Sequence, residues 1–128
     1  MAAPLIHIFA VAIKEGQVDG FRQYAREHAE FVETAHPRLL AFHHYLSEDS
    51  RTAYAVQVHP DSDSLAYFMA KVVPEHGVKA YEFVEQGTER SDVYGALDGA
   101  FQDQIRQYGV TLSMRPHHLG GFTRLLTG

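Results

Sequence analysis

Hydrophobic and polar residues along the chain follow first a strand pattern and then a helix pattern. Pro4–Ile13 is an apolar run interrupted only by His7, which is typical of a strand covered on both faces. Apolar residues then recur every three or four positions from Val18 to Ala35. This spacing predicts a helix that ends before Pro37, because the residue before a proline avoids the helical region.

The middle of the chain predicts a β-hairpin followed by a helix start. Leu39–Leu46 and Thr52–His59 have the composition of strands, and the polar segment Ser47–Arg51 between them suits a tight turn. Both faces of each strand carry bulky apolar groups, so both faces of the sheet need a cover. Pro60–Ser64 supplies side chains that can cap the helix that follows.

The second helix is predicted in two pieces, Ser64–Val73 and Glu75–Glu85, because Pro74 cannot continue a regular helix. His76 stands beside this break, where irregular backbone often borders a pocket. The residues expected to face inward are Phe68, Val72 and Val73 on the first piece, and Val78, Tyr81 and Val84 or Phe83 on the second.

The C-terminal part predicts a strand at Arg90–Tyr94, a helix over Ala96–Tyr108 and a strand at Val110–Met114. Phe122–Leu126 is expected to form a last short strand or arm. Gly109 suits the position just after the helix, where left-handed backbone is common. The helix is expected to turn Leu97, Phe101, Ile105 and Tyr108 towards the core.

Strand, helix, strand, strand, helix, strand is the order of a ferredoxin-like βαββαβ sheet. We therefore predict an α+β fold, with an antiparallel sheet and its helices on one face. The 128 residues are expected to form one domain, with a core at 5–94 and a C-terminal extension with an extra helix and strand at 95–128. Since the helices cover only one face, the apolar second face predicts a homodimer.

Composition narrows the possible functions. The chain has no cysteine, which removes disulfides, thiolate nucleophiles and cysteine-based zinc sites. A net charge of −5 with scattered basic residues argues against nucleic acid as a partner. No apolar run approaches the ~20 residues of a membrane span. The N-terminus lacks the basic segment of a signal peptide, so the cytoplasm is the expected location.

Histidine and aromatic residues are abundant, with 9 His, 8 Phe and 7 Tyr. Tyrosine and histidine combine an apolar body with a polar tip and suit the wall of a half-buried cavity. Metal-binding histidine pairs are spaced i, i+4 on a helix or i, i+2 on a strand, and neither spacing occurs. His43–His44 and His117–His118 are adjacent pairs that diverge in extended structure. No metal is expected.

Several segments together resemble the antibiotic biosynthesis monooxygenase (ABM) domain of the dimeric α+β barrel superfamily, over about Leu5 to Glu85. The segments that carry the resemblance are the apolar first strand ending in Lys14-Glu15-Gly16-Gln17, the helix exit His36-Pro37-Arg38, the hairpin with its Ser47–Arg51 turn, and the helix opening Asp63-Ser64-Leu65-Ala66-Tyr67-Phe68.

The resemblance implies a homodimer whose sheets pack face to face, and a cavity between sheet and helices. It implies a cofactor-independent monooxygenase acting on a small hydroxylated aromatic, quinol or polyketide-like substrate. In such enzymes the phenolate itself gives an electron to dioxygen, while the protein deprotonates and orients the substrate and excludes water. The heme-degrading branch uses an asparagine and a tryptophan, and this chain has neither.

A histidine is the natural base for such chemistry near neutral pH. His76 is the first candidate, because it stands at the helix break over the expected cavity. His7 and His44 follow, and they could meet across adjacent strands if both project to the helix side. The candidate substrate-binding residues are Tyr54, Tyr67 and Tyr81 as hydroxyl donors and Phe9, Phe42 and Phe68 as wall.

Two other functions are compatible with the sequence. One is a non-catalytic small-ligand-binding or stress-response protein of the same fold, and the other is a polyketide cyclase or isomerase. Catalysis predicts one concave pocket holding a histidine with a pKa shifted by burial and a polar group within reach. A pure binding protein predicts an apolar pocket whose histidines are all engaged structurally.

Overall fold

Within residues 3–124, which the computed structural model describes, five strands form one sheet in the order β2-β3-β1-β4-β5. The strands are β1 (Leu5–Ala12), β2 (Ala41–Leu46), β3 (Thr52–His59), β4 (Arg90–Tyr94) and β5 (Thr111–Arg115). β3 pairs antiparallel with β1 and β2, and β4 pairs antiparallel with β1. β5 pairs parallel with β4. The first four strands therefore have the predicted ferredoxin-like order, and β5 makes the sheet mixed.

The helices pack on one face of this sheet, so the predicted α+β fold is confirmed. The helical segments are α1 (Val18–Ala35), α2 (Ser62–Tyr67), a π-helical turn (Phe68–Val72), α3 (Val73–Glu75), a 3-10 helix (Gly77–Glu82) and α4 (Gly99–Gln107). Three apolar clusters fill the space between sheet and helices. Their most buried members are Ala53 and Val84 in the first, Leu65 and Val93 in the second, and Val32 and Val72 in the third.

The second helical segment breaks at His76, whereas the sequence predicted a break at Pro74. Pro74 lies in the first turn of α3, where a proline is tolerated because its missing N–H has no partner to lose. The π-helical turn ends directly before it, with the Val73 N–H donating to the Phe68 carbonyl. His76 has φ −136° and ψ −35°, and the chain then tightens into the 3-10 helix.

Three residues predicted to face inward are exposed. Val78 and Tyr81 expose 45% and 42% of their surface, because a 3-10 helix has three residues per turn and α-helical spacing does not predict its faces. Tyr108 is 68% exposed because α4 ends at Gln107.

The boundaries of the C-terminal part also differ from prediction. α4 begins at Gly99 rather than Ala96, since the Asp98 carboxylate accepts the Phe101 N–H and caps the helix there. β5 is shifted by one residue, to Thr111–Arg115. Of the predicted strand or arm at Phe122–Leu126, residues 122–124 form no regular strand, and 125–126 lie outside the described residues.

The second face of the sheet is the one that the helices leave open. Alternation along the strands places apolar side chains there, and they stay half-buried or exposed in the single chain. The side chains on this open face include Ile6, Ile8, Tyr45, Tyr54, Val56 and Val58. No helix within residues 3–124 is long and apolar enough to cross a membrane.

Candidate functional site

Three histidines from different elements converge on the helix side of β2, and we call them the histidine cluster. His28 comes from α1, His44 from β2 and His76 from the helix break. Their ring centroids are 4.9 Å apart for His28 and His76 and 5.9 Å apart for His28 and His44. Nδ1 of His28 and Nδ1 of His76 are 2.8 Å apart and form a hydrogen bond.

Three side chains of helix α1 hold His76, and we call them the cradle. Tyr24, His28 and Phe31 are spaced i, i+4 and i+7, which puts them on one face of the helix. The His76 ring stacks on Phe31 at 4.9 Å and on Tyr24 at 5.6 Å, and it lies beside the His28 ring, with the two planes 14° apart, so that the two Nδ1 atoms meet. The Tyr24 hydroxyl also donates to the Gly77 carbonyl at 3.3 Å, which fixes the backbone directly after His76.

Phe42 and Phe68 extend this aromatic wall. The Phe42 ring meets His44 edge-on at 4.8 Å and His28 at 5.5 Å. Phe68 lies 5.9 Å from Phe42 and is buried. The structure thus brings together four residues that the sequence analysis selected, namely His44, His76, Phe42 and Phe68.

Burial keeps the histidine cluster neutral. It lowers the pKa of His44 to about 4 and the pKa of His28 to about 3, with smaller effects from His44 and His76. Partial burial also lowers the pKa of His76; Lys79 acts in the same direction, and Glu27 acts against it. All three rings therefore have a lone pair at neutral pH. His44 and His76 are half-buried, whereas His28 is buried.

His7 lies away from the histidine cluster, in a buried network of hydrogen-bonded polar side chains that we call the sealed network. β3 separates β1 from β2, so His7 and His44 are not on adjacent strands. His7 Nε2 lies 2.8 Å from the Ser91 hydroxyl, its Nδ1 lies 3.3 Å from Gln57 Oε1, and burial lowers its pKa to about 4. The network continues from Gln57 through His59 and Ser64 to His36. Its members are buried and hydrogen-bonded, which is a structural role.

The remaining selected residues do not join the histidine cluster. Tyr54 lies on the open face of the sheet, opposite the helices. The Tyr67 hydroxyl donates to the Ala35 carbonyl at the surface, and Tyr81 is exposed. Phe9 packs against the first apolar cluster, with its ring 6.3 Å from that of His7.

Three cradle residues were not selected from the sequence. His28 lies in the apolar stripe of the helix Val18–Ala35, where it is buried and hydrogen-bonded to His76. Tyr24 and Phe31 were not selected at all. The aromatic i, i+4, i+7 spacing on α1 was a signal that could have identified the three together.

Within residues 3–124, no group of three or more histidine or carboxylate side chains is arranged to hold a metal ion. A surface groove of about 550 Å³ lies between α2 and α4. It contains the carboxylates of Asp63 and Asp98 beside Met69 and Phe101, but no histidine. We place the candidate site at the histidine cluster, because that is where a neutral base and aromatic walls occur together.

A ferredoxin-like sheet with its helices on one face is the fold that this chain shares with a solved antibiotic biosynthesis monooxygenase. The predicted resemblance is confirmed for the fold. A solved antibiotic biosynthesis monooxygenase structure superposes with a TM-score of 0.63 at 18% identity, over 73% of this chain and 99% of the other.

Two further solved structures share the fold. MupZ from Pseudomonas fluorescens superposes with a TM-score of 0.74 at 14% identity, over 96% of both chains. PA3566 from Pseudomonas aeruginosa gives a TM-score of 0.60 at 15% identity, over 77% of this chain and 98% of the other. No family model and no curated protein matches the sequence.

Proposed function

We propose that this protein is a cofactor-independent monooxygenase that oxidises a small hydroxylated aromatic compound, such as a quinol or a polyketide-like phenol, with dioxygen. The observation that carries the proposal is the half-buried His76 imidazole, stacked on Phe31 and held by the buried His28. A neutral imidazole at the edge of an aromatic wall suits both the deprotonation and the stacking of a phenol. The shared fold with a structure named as a monooxygenase supports the proposal.

In the proposed reaction, His76 takes the proton of the phenolic hydroxyl. The phenolate passes an electron to dioxygen, and the two radicals combine to form a carbon–oxygen bond at a ring carbon that bears hydrogen. The O–O bond then breaks, that carbon loses its proton, and the products are a quinone and water. The substrate supplies all four electrons that dioxygen accepts, so no external reductant is needed.

In the proposed site, side chains of this protein orient the substrate and exclude water. Phe31 and Phe42 offer apolar faces on which an aromatic substrate can stack. His44, with its pKa lowered by burial, is neutral and can exchange a hydrogen bond with a second oxygen of the substrate. Excluding bulk water strengthens these contacts and protects the radical pair from side reactions.

We further propose that the protein is a homodimer assembled through the open sheet face. Ile8 on β1 and Val56 on β3 are register partners there, and both remain partly exposed in the single chain. Two sheets that pack face to face about 10 Å apart would bury these apolar side chains. The helix side, with the histidine cluster, would remain accessible in each subunit.

Oxygen uptake by metal-stripped protein tests the proposed activity. A panel of quinols and dihydroxyaromatic compounds is compared with its spontaneous oxidation, using wild type, His76→Ala and His117→Ala. His117 is an exposed loop histidine and serves as the matched control. We expect uptake by wild type and His117→Ala, and a loss on the order of 100-fold or more in His76→Ala, since general bases contribute about 10²–10⁴-fold.

The other outcomes have definite meanings. Uptake that is unchanged in His76→Ala would remove His76 as the base. No uptake with any compound would contradict the monooxygenase and favour the small-ligand-binding protein. Conversion of a compound without oxygen uptake would favour the cyclase or isomerase.

A further inference from the structure

The contact between His28 and His76 requires one ring to donate and the other to accept. Their Nδ1 atoms are 2.8 Å apart, and a neutral imidazole has one N–H and one lone pair. Two arrangements are therefore possible. His76 can donate from Nδ1 and keep a lone pair on Nε2, or it can accept at Nδ1 and carry its hydrogen on Nε2. Only the first arrangement makes His76 a base towards a ligand.

Uptake of a proton by His76 at Nε2 fits only the first arrangement. His28 is 5% exposed and resists protonation, because the surrounding protein disfavours its charged form. Once His76 takes a proton, both of its nitrogens carry hydrogen and its Nδ1 can only donate. If His28 were the donor beforehand, two N–H groups would then face each other. With His28 as the acceptor, proton transfer to His76 needs no rearrangement.

The packing of His28 keeps its Nδ1 aimed at His76. Tyr24 stacks on one side of the His28 ring at 5.2 Å, and Phe42 meets it edge-on at 5.5 Å. Helix α1 carries both Tyr24 and His28, so the acceptor sits on a regular element. His76, by contrast, lies at a break between short helical segments, where it depends on side-chain contacts for its orientation.

We propose that His28 is a positioning residue, which accepts a hydrogen bond from Nδ1–H of His76 and so presents the Nε2 lone pair of His76 to a phenolic hydroxyl. The direction of this hydrogen bond rests on the proposed function, in which His76 acts as a base, whereas the contact between the two Nδ1 atoms does not. His28 acts through His76 and does not touch the substrate. Fixing the tautomer of a histidine through its second nitrogen is a common use of such partners.

NMR of protein with ¹⁵N-labelled histidines tests this assignment without substrate or turnover. In the wild type at neutral pH, we expect His76 to carry hydrogen on Nδ1 and to have an unprotonated Nε2. His28→Phe keeps an aromatic ring but removes the acceptor, so His76 loses this preference. His28→Gln offers an amide oxygen and is expected to restore it in part. Tyr24→Phe removes only the hydrogen bond to Gly77 and leaves the His76 tautomer unchanged.

Two results would overturn the assignment. One is a wild-type His76 with its hydrogen on Nε2, which needs no variant to be observed. The other is a folded His28→Phe protein whose His76 tautomer equals that of the wild type. If the tautomer is as expected but no compound drives oxygen uptake, the monooxygenase fails and the positioning contact stands. If uptake occurs and the tautomer is wrong, the monooxygenase stands, but the positioning role of His28 and the role of His76 as the base both fail.

Activity gives a second readout where uptake is found. His28→Phe is expected to lower kcat at least tenfold with little change in KM, because the wall that binds the substrate is kept while the base is misdirected. His28→Gln is expected to recover part of the lost kcat. Equal kcat in wild type and His28→Phe would contradict a positioning role.

Discussion

The hydrogen bonds around Gln57 fix the tautomers of two buried histidines. Gln57 Oε1 can only accept, so His7 donates to it from Nδ1 and His59 from Nε2. The hydroxyls of Ser91 and Ser64 must then donate to the remaining ring nitrogens. Adding a proton to either ring would require the serine hydroxyl to turn from donor to acceptor, and it would place a charge among buried groups; this burial is what lowers the pKa of His7 and of His59.

This network predicts a loss of stability in mild acid. Burial lowers the pKa of His7 from 6.5 to about 4. Above pH 6.5 neither state is protonated, and His7 adds no pH dependence. Between pH 6.5 and 4, His7 binds a proton in the unfolded chain but not in the folded chain, so the free energy of unfolding falls as the pH is lowered. At pH 4 this proton uptake lowers the free energy of unfolding by about 3 kcal/mol relative to neutral pH.

Urea unfolding at a series of pH values between 7 and 4 measures this effect. His7→Gln has no titrating group at this position, so its free energy of unfolding should fall less steeply than that of the wild type. The control His117→Gln changes an exposed histidine and should keep the wild-type slope. An equal slope in wild type and His7→Gln would contradict the buried, neutral assignment.

Single residues were the hardest feature to predict from sequence. His76 was selected because Pro74 predicted a helix break beside it, although the break itself lies two residues after Pro74. The partnership of His28 with His76 joins residues 48 positions apart, and that of His7 with Ser91 spans 84 positions. Such pairs depend on how the elements pack, which local spacing does not contain.

Among the elements, α1 does most to build the site. One face of this helix carries the cradle for His76, and its N-terminal turn packs against the end of the 3-10 helix. Gly20 is the residue of closest approach there. A Cβ atom at Gly20 would lie 2.7 Å from Cε1 and 2.9 Å from Cδ1 of Phe83, and the Phe83 ring in turn lies 6.0 Å from Tyr24.

Gly20→Ala is therefore predicted to destabilise the protein, although alanine has a higher helix propensity than glycine. Alanine gains up to about 1 kcal/mol over glycine within a helix, whereas forcing Phe83 out of a packed position costs about 1–3 kcal/mol. We expect a net loss of about 1 kcal/mol in urea unfolding. The control Gly99→Ala has open space around its Cβ and should be neutral or slightly stabilising. A gain in stability for Gly20→Ala would contradict the packing.

Helices and strands whose apolar residues recur at one constant spacing were predicted well. The helix Val18–Ala35 and the strands Thr52–His59 and Arg90–Tyr94 have the bounds that their patterns gave. The segment from Ser62 to Glu82 was predicted poorly, because it changes from α to π to 3-10 geometry and one helical period cannot describe its faces. The irregular segment is also the one that carries His76.

At the scale of the whole molecule, the two faces of the sheet have separate tasks. The helix side holds the core, the sealed network and the candidate site. The open face carries apolar side chains on three strands, with Val56 between its register partners Ile8 and His43. The sequence could predict that both faces need a cover, and the dimer that would cover the second face stays a prediction.

Val56→Lys tests that dimer. A lysine in the centre of the open face would bring its own charge and that of its symmetry mate into an apolar contact, which is strongly unfavourable without a partner. Light scattering at micromolar concentration should give twice the 14.4 kDa chain mass for the wild type and the single mass for Val56→Lys. Glu48→Lys, in an exposed turn, should remain dimeric. A monomeric wild type would contradict the proposed assembly.

We propose that a phenol binds beside His76, on the helix side of the sheet. The most direct measurement is an anaerobic titration of ¹⁵N-histidine-labelled protein with hydroquinone, followed by NMR, because binding is then seen without oxidation. We predict saturable shifts of the His44 and His76 ring signals, with those of His7 and His59 unchanged. Shifts confined to other histidines, or no shift at any histidine, would contradict it.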